Sequence, residues 1–219
     1  NAGGNARIAE TMFRYFRFPM DFGNFVYLSQ IQQGLAITTA VEYWRSLKPH
    51  CMGALVWQLN DTWPVASWAS LNHGGSWKSL HYMTRAFFQP VTVSAIPSPE
   101  GAAIRLVGVN DTNEDVTVEV RTFSVGPSGE EKSLATIEGS LPHDRSEELS
   151  WLATADIGDG ELLLFRFKAS NGMCGEGHFS PRPYKGLDLK DAEIATDIQI
   201  SGSELTLSFS SNKLALFVV

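Results

Sequence analysis

Cysteine is scarce, basic charge is thin, and no hydrophobic run is long. The 219-residue chain has only Cys51 and Cys174, which excludes a disulfide scaffold and leaves the redox compartment open. Seventeen Lys and Arg stand against 24 Asp and Glu, a net charge of −7 with a pI near 5.2. That balance argues against a nucleic-acid binder, whose affinity would come from cations on phosphates, and it disfavours an anionic membrane surface. No apolar stretch reaches the roughly 18 residues that span a bilayer, and Asn1 opens the chain without Met, signal or transit pattern. The start reads as cut from something longer. His50, His73, His81, His143 and His178 share no close spacing with one another or with the cysteines, so no metal site is expected. The stretch Gly172 to Gly177 lacks the G-x-G-x-x-G order and opens no helix, so it reads as a hairpin and no cofactor is expected. What is present is core material: 43% hydrophobic against 19% charged residues, enough for one domain plus part of another, or for two small ones.

That material is unevenly spread. Residues 1–89 carry seven Lys and Arg against four Asp and Glu, a net of +3, and the remainder carries −10. Sixteen of the 24 aromatic residues also fall in residues 1–89, a density suited to an aromatic-lined core or a sugar-binding cleft. Leu28, Ile31, Leu35, Val41, Trp44 and Leu47 recur at helical spacing, which predicts one long helix over 25–47 with Asn24 as cap and Pro49 beyond its end. Met52 to Leu59 is apolar on both faces, as expected of a strand in a parallel sheet. Ser76 is placed to cap a second helix that runs to about Phe88 and stops before Pro90. Arg14, Arg17 and Arg45, which alternate with aromatics, read as a solvated helix exterior.

From Val91 onward the pattern is β: runs at 103–109, 116–125, 132–137, 147–152, 161–168, 194–200, 204–209 and 214–219. Such spacing predicts a β-sandwich. Pro127-Ser128-Gly129 and Asn171-Gly172 supply hairpin turns, and Pro181-Arg182-Pro183 reads as a linker between two β units.

The motifs Phe25-Val26-Tyr27-Leu28-Ser29-Gln30-Ile31-Gln32-Gln33, Glu42-Tyr43-Trp44-Arg45 and Met52-Gly53-Ala54-Leu55-Val56-Trp57-Gln58-Leu59-Asn60-Asp61-Thr62-Trp63-Pro64 occur in that order. Ser67-Trp68, Trp77-Lys78 and Leu80-His81-Tyr82 follow. Together they resemble the β-mannosidases of glycoside hydrolase family 2. The resemblance covers about residues 1–94; the rest resembles, more weakly, the immunoglobulin-like domains that follow the barrel in that family. It implies three units: the C-terminal part of a (β/α)8 barrel over 1–89 with 52–59 as its eighth strand, an immunoglobulin-like β-sandwich over 90–182, and the start of a second β domain over 183–219, truncated. It implies a retaining, exo-acting hydrolase of terminal β-mannose, with a cis peptide between Trp57 and Gln58.

Retaining glycosidases use two carboxyl groups about 5–5.5 Å apart. In the family both are glutamates, one in an Asn-Glu pair and one in a Ser-Glu-aromatic-Gly motif, and both are expected upstream of Asn1. Asn113-Glu114 sits in a polar turn, and Ser146-Glu147 and Ser203-Glu204 lack the aromatic and Gly. No catalytic residue is therefore assigned, and the chain alone is expected to be inactive. The substrate-binding candidates are Trp57, Asn60, Asp61 and Trp63. Trp57 lies near the C-terminal end of the barrel strand, where such barrels place their sites, and the resemblance makes it the platform under the sugar; the plainer reading is core filling. Asn60 and Asp61 suit hydrogen bonds to hydroxyls, with loop stabilisation an equal alternative for Asp61, and for Trp63 and Trp68 wall packing is the favoured reading. Asn60-Asp61-Thr62 and Asn110-Asp111-Thr112 fit the glycosylation sequon, which matters only in a secretory pathway.

The expected partners are a β-mannoside or mannose-terminated oligosaccharide, and the rest of the barrel or a second copy of the chain, with neither nucleic acid nor membrane. A galactoside- or glucuronide-acting relative, or a noncatalytic carbohydrate-binding module, are the rival readings. The compartment stays open, with cytoplasm slightly ahead of lysosome or secretion.

Overall fold

The computed structural model describes residues 3–218. Three helices come first: α1 (Gly4–Tyr15), α2 (Phe22–Arg45) and α3 (Ser79–Phe87). The long helix begins three residues earlier than the spacing predicts, because Asp21, not Asn24, is its cap: Oδ1 accepts the Asn24 backbone N–H at 2.8 Å. The third helix likewise starts at Ser79 after Lys78 rather than Ser76. Ser76 instead closes a turn, accepting the Asn72 N–H on its carbonyl at 2.9 Å.

Nine strands follow among the described residues. β1 (Val91–Pro97), β2 (Ala103–Asn110) and β5 (Arg145–Ala153) form one sheet in the order β1-β2-β5. β3 (Val116–Val125), β4 (Glu131–Leu141), β6 (Leu162–Ala169) and β7 (Cys174–Phe179) form the other, in the order β4-β3-β6-β7. All pairings are antiparallel. Alternation puts Val116, Val118 and Val120 inside against Ile104, Leu106, Leu141, Leu163 and Phe165, the shared core of the two sheets. The expected sandwich is present. Its turns use glycine where the backbone enters the left-handed region, at Gly129 (φ +83°) and Gly172 (φ +87°).

The glycines of β7 have a packing role. Gly177 pairs with Phe165 and Gly175 with Phe167, and an added Cβ would meet those rings at 2.3 and 2.7 Å. Bare backbone on one strand makes room for aromatic rings on the next.

The helices and the sandwich are joined by a polar knot. Arg45, buried and not part of a solvated exterior as its spacing suggested, donates to the Phe87 carbonyl, to the Gln89 carbonyl at 2.8 Å and to Asp111 Oδ2 at 2.8 Å. Lys48 takes the other Asp111 oxygen. Ser146 donates its hydroxyl toward the Ser46 and Lys48 carbonyls at 3.0 Å. Periodicity along α2 does not reveal this, because the acceptors come from elements far away in sequence.

A last ribbon, β8 (Ile194–Ser201) with β9 (Glu204–Ser211), stands apart from both sheets. Its register aligns Ile198 with Leu207 and Ile200 with Leu205; alternation gathers these with Ile194 and Phe209 on one face, and all six are exposed. Residues 214–218 form no strand, and Val219 lies outside the described residues. The segment between sandwich and ribbon is pinned. Tyr184 stacks on Phe16 with centroids 5.5 Å apart and meets His178 Nε2 at 2.9 Å, while Phe217 packs edge-on against both rings of that pair.

Candidate functional site

Met52 to Leu59 is not a strand here. No ladder forms along it because among the described residues no strand runs beside it; only its last two carbonyls, of Gln58 and Leu59, meet backbone N–H groups of the following loop. The alternation of a strand survives. Ala54 and Val56 pack on Val41, Leu80 and Phe87 between α2 and α3, while Leu55 and Trp57 are 99% and 74% exposed and Leu59 is exposed on the same face; Met52, in phase with Ala54, lies beyond the cover of the helices and is exposed too. One face of the segment is covered by helices and the other is bare. The Trp57–Gln58 peptide is cis.

The loop beyond folds back on the segment. Ser70 N–H donates to the Gln58 carbonyl at 3.0 Å, Leu71 N–H to Leu59 at 2.8 Å, and Asp61 N–H to Leu71 at 3.1 Å. The Ser70 hydroxyl donates to the Leu59 carbonyl at 2.9 Å and lies 3.0 Å from His81 Nδ1; its one proton is used, so Nδ1 is assigned as the donor. The loop is fixed, and its outer residues Thr62 to Ala66 are exposed.

Asp61 is turned inward and is 4% exposed. Lys78 donates to Oδ2 at 2.8 Å and the Ser67 hydroxyl donates to Oδ1. The Lys78 hydrogen bond first, then that of Ser67, holds the carboxyl below its usual range. Of the two roles open to Asp61, this geometry is the loop-stabilising one: neither oxygen faces the open side without a partner. Asn60 is exposed beside it and offers its amide, with only a long 3.4 Å contact to the Asp61 carbonyl. Trp63 and Trp68 are exposed among the described residues. An open concavity of about 310 Å3 is lined by Gln58, Asp61, Trp63, Val65, Ser67 and Trp68. It unites Asp61 and Trp63; Trp57 and Asn60 are outside its lining.

The remaining acids of residues 1–89 have other tasks. Glu10 pairs with Arg14 at 2.8 Å, Asp21 caps α2, and Glu42 is half-buried on α2, where burial pushes its carboxyl up to about 7 against the opposing pull of Arg45. Asn110 is fully buried and donates its amide to the Glu114 and Leu141 carbonyls at 2.8 and 2.9 Å, so that sequon is no glycosylation site in the folded chain. Among the described residues no group of three or more His, Cys, Asp and Glu is placed to hold a metal ion. Lys78 and Ser67 carry the loop, and sequence reasoning assigned neither a role; the sole signal is their place in the Ser67-Trp68 and Trp77-Lys78 motifs.

The chain is similar to known proteins. A goat (Capra hircus) β-mannosidase is 35% identical over 138 residues, which cover 55% of this chain and 16% of that protein. β-Mannosidase B of Emericella nidulans is 26% identical across 96% of this chain and 27% of its own length. The solved β-D-mannosidase of Dictyoglomus thermophilum superimposes with a TM-score of 0.89 at 27% identity, over 98% of this chain and 27% of that one. The chain is related to the β-mannosidases. It corresponds to a part of each relative, spanning 16% of the goat protein and 27% of the two microbial ones. The fold also occurs in an Amycolatopsis orientalis exo-chitosanase, with a TM-score of 0.73 at 13% identity over 93% of this chain. No family model matches the chain. The mostly β architecture with few helices is that of the Dictyoglomus β-mannosidase over the shared length.

Proposed function

We propose that the chain is the C-terminal portion of a retaining, exo-acting β-mannosidase of glycoside hydrolase family 2. In this reading residues 1–89 close the catalytic (β/α)8 barrel, residues 90–182 are the immunoglobulin-like sandwich beside it, and residues 183–219 begin a further β domain. The carrying observation is the two-sided segment Met52 to Leu59: helices cover Ala54 and Val56, and Leu55 and Trp57 project bare on the opposite side, as barrel-lining residues would. Strands seven and one of the barrel would pair with its edges. Both catalytic glutamates would come from the missing part.

The contribution of this chain is then a wall. Trp57 offers an indole face to the apolar face of a sugar ring, Asn60 an amide to a hydroxyl, and Trp63 a second aromatic surface at the mouth. Asp61 serves the site by holding the loop. Turnover of aryl β-mannoside, β-galactoside, β-glucuronide and β-glucosaminide by the longer protein tests the reading. Preference for the mannoside by at least roughly tenfold in kcat/KM supports it, about 1.4 kcal/mol of transition-state discrimination; preference for another glycoside replaces the sugar and leaves the reaction class, and no glycoside turnover removes both.

A further inference from the structure

One buried cation holds the loop that carries this wall. The Lys78 side chain is 8% exposed and that of Asp61 3%, with Nζ 2.8 Å from Oδ2. Ser67, which donates to the other Asp61 oxygen, also accepts the Ala69 N–H at 3.0 Å. A single carboxylate therefore ties together the start of the loop at Asp61, its end at Ser67 to Ala69, and the residue that precedes α3. The far side is anchored too: Ser79 N–H donates to Gln30 Oε1 at 3.1 Å and Gln33 Nε2 to the Trp68 carbonyl at 2.9 Å, both from α2. Trp63 lies inside the tied loop and Asn60 is adjacent to its first knot.

We infer that Lys78 is a positioning residue of the sugar site, acting through Asp61 to fix where Asn60 and Trp63 meet the substrate. The inference rests on the glycosidase reading above. The physical reason is charge. Without the ammonium, Asp61 is a buried carboxylate with one hydroxyl donor and the weaker, more distant influence of His73, and its relief is either to take up a proton or to swing the loop toward water. A packing role would depend on the volume of the side chain. A positioning role depends on the pair of charges and on pH.

The test uses the longer protein in four forms: unaltered, Lys78→Met, Lys78→Arg, and the double variant Asp61→Asn with Lys78→Met. Values of kcat and KM on an aryl β-mannoside are taken from about pH 5 to about pH 8, with a thermal melt of each form. Lys78→Met is expected to lower kcat by roughly 10- to 100-fold with KM within about threefold, since misplacement at the reacting centre costs rate more than ground-state binding. The loss should deepen as pH rises and Asp61 ionises. Lys78→Arg should restore most of the rate, and the double variant, which removes the stranded charge, should recover part of the loss while staying about threefold or more below the unaltered protein. A folded Lys78→Met with kcat within about twofold, or a loss that neither varies with pH nor yields to Asp61→Asn, overturns the inference. Should Lys78→Met fail to fold, the double variant decides: a kcat less than about threefold below the unaltered protein overturns the inference, and a larger loss at constant KM supports it. If the unaltered protein prefers another glycoside, the mannoside reading alone fails and the same comparison is made on that glycoside; if it turns over none, both fail.

Discussion

At the residue scale, Trp57 and Glu42 show how differently two side chains of the same region act. Trp57 is 74% exposed and has no structural task within the described residues, so Trp57→Ala in the longer protein is expected to leave its thermal midpoint unchanged. The kcat/KM on β-mannoside should fall by roughly 10- to 1,000-fold, the size of a lost stacking or positioning contact. A drop in the midpoint with unchanged kinetics would return Trp57 to core packing. Glu42 has the opposite profile. Burial raises its carboxyl from its ordinary 4.5 to about 7, so the folded protein holds this proton where the unfolded chain has released it. The group costs nothing below about pH 4.5, its destabilising effect grows as pH rises toward 7, and it is constant above. Glu42→Gln should therefore raise the melting temperature at pH 8 and leave it nearly unchanged at pH 4.5, and equal shifts at the two pH values would deny the burial effect. The sequence presents Asp61 with equal claims to sugar and loop. The partner that favours the loop role, Lys78, lies seventeen residues away.

At the scale of elements, the knot around Arg45 joins the end of α2 to the ends of α3 and the β2–β3 turn. Arg45→Ala strands the Phe87 and Gln89 carbonyls and one oxygen of Asp111, which keeps Lys48 as a partner. The expected cost is about 2–3 kcal/mol in denaturant unfolding, the range for buried hydrogen bonds to a charged group. Arg14→Ala, which breaks an exposed pair with Glu10 on α1, should cost no more than about 0.5 kcal/mol. On β7, Gly177→Ala forces a methyl against the Phe165 ring and should cost about 1–3 kcal/mol. Strands were legible wherever turn residues and alternation coincide, as over β3, whose predicted and observed bounds agree. Helix starts were not, because Asn24, Asp21, Ser76 and Lys78 compete at neighbouring positions and tertiary contacts choose among them.

At the scale of the whole molecule, two apolar faces lie open: Met52 to Leu59, and the ribbon face of Ile194, Ile198, Ile200, Leu205, Leu207 and Phe209. Contiguous apolar surface of this kind is rarely left in water by a stable monomer. The isolated chain is expected to self-associate in light scattering and to hydrolyse no β-mannoside, and in hydrogen exchange β3 and β6 should be protected while Met52 to Leu59 exchanges fast for want of ladder partners. A monodisperse monomer with strong protection through 52–59 would contradict this. By itself the sequence determined the long helix, the helix before the sandwich, strands β2 to β6, the final ribbon and the motifs that point to the β-mannosidases, because alternation, turn residues and rare aromatic motifs are local and survive without neighbours; it gave no bounds for α1, β1 or β7. Tertiary structure alone decided which charges are structural. Arg45, Lys48, Asp111, Asp61 and Lys78 acquire their roles from partners 17 to 66 residues away, and a charge removed from water is tolerated only where the fold supplies its counter-charge and hydrogen bonds.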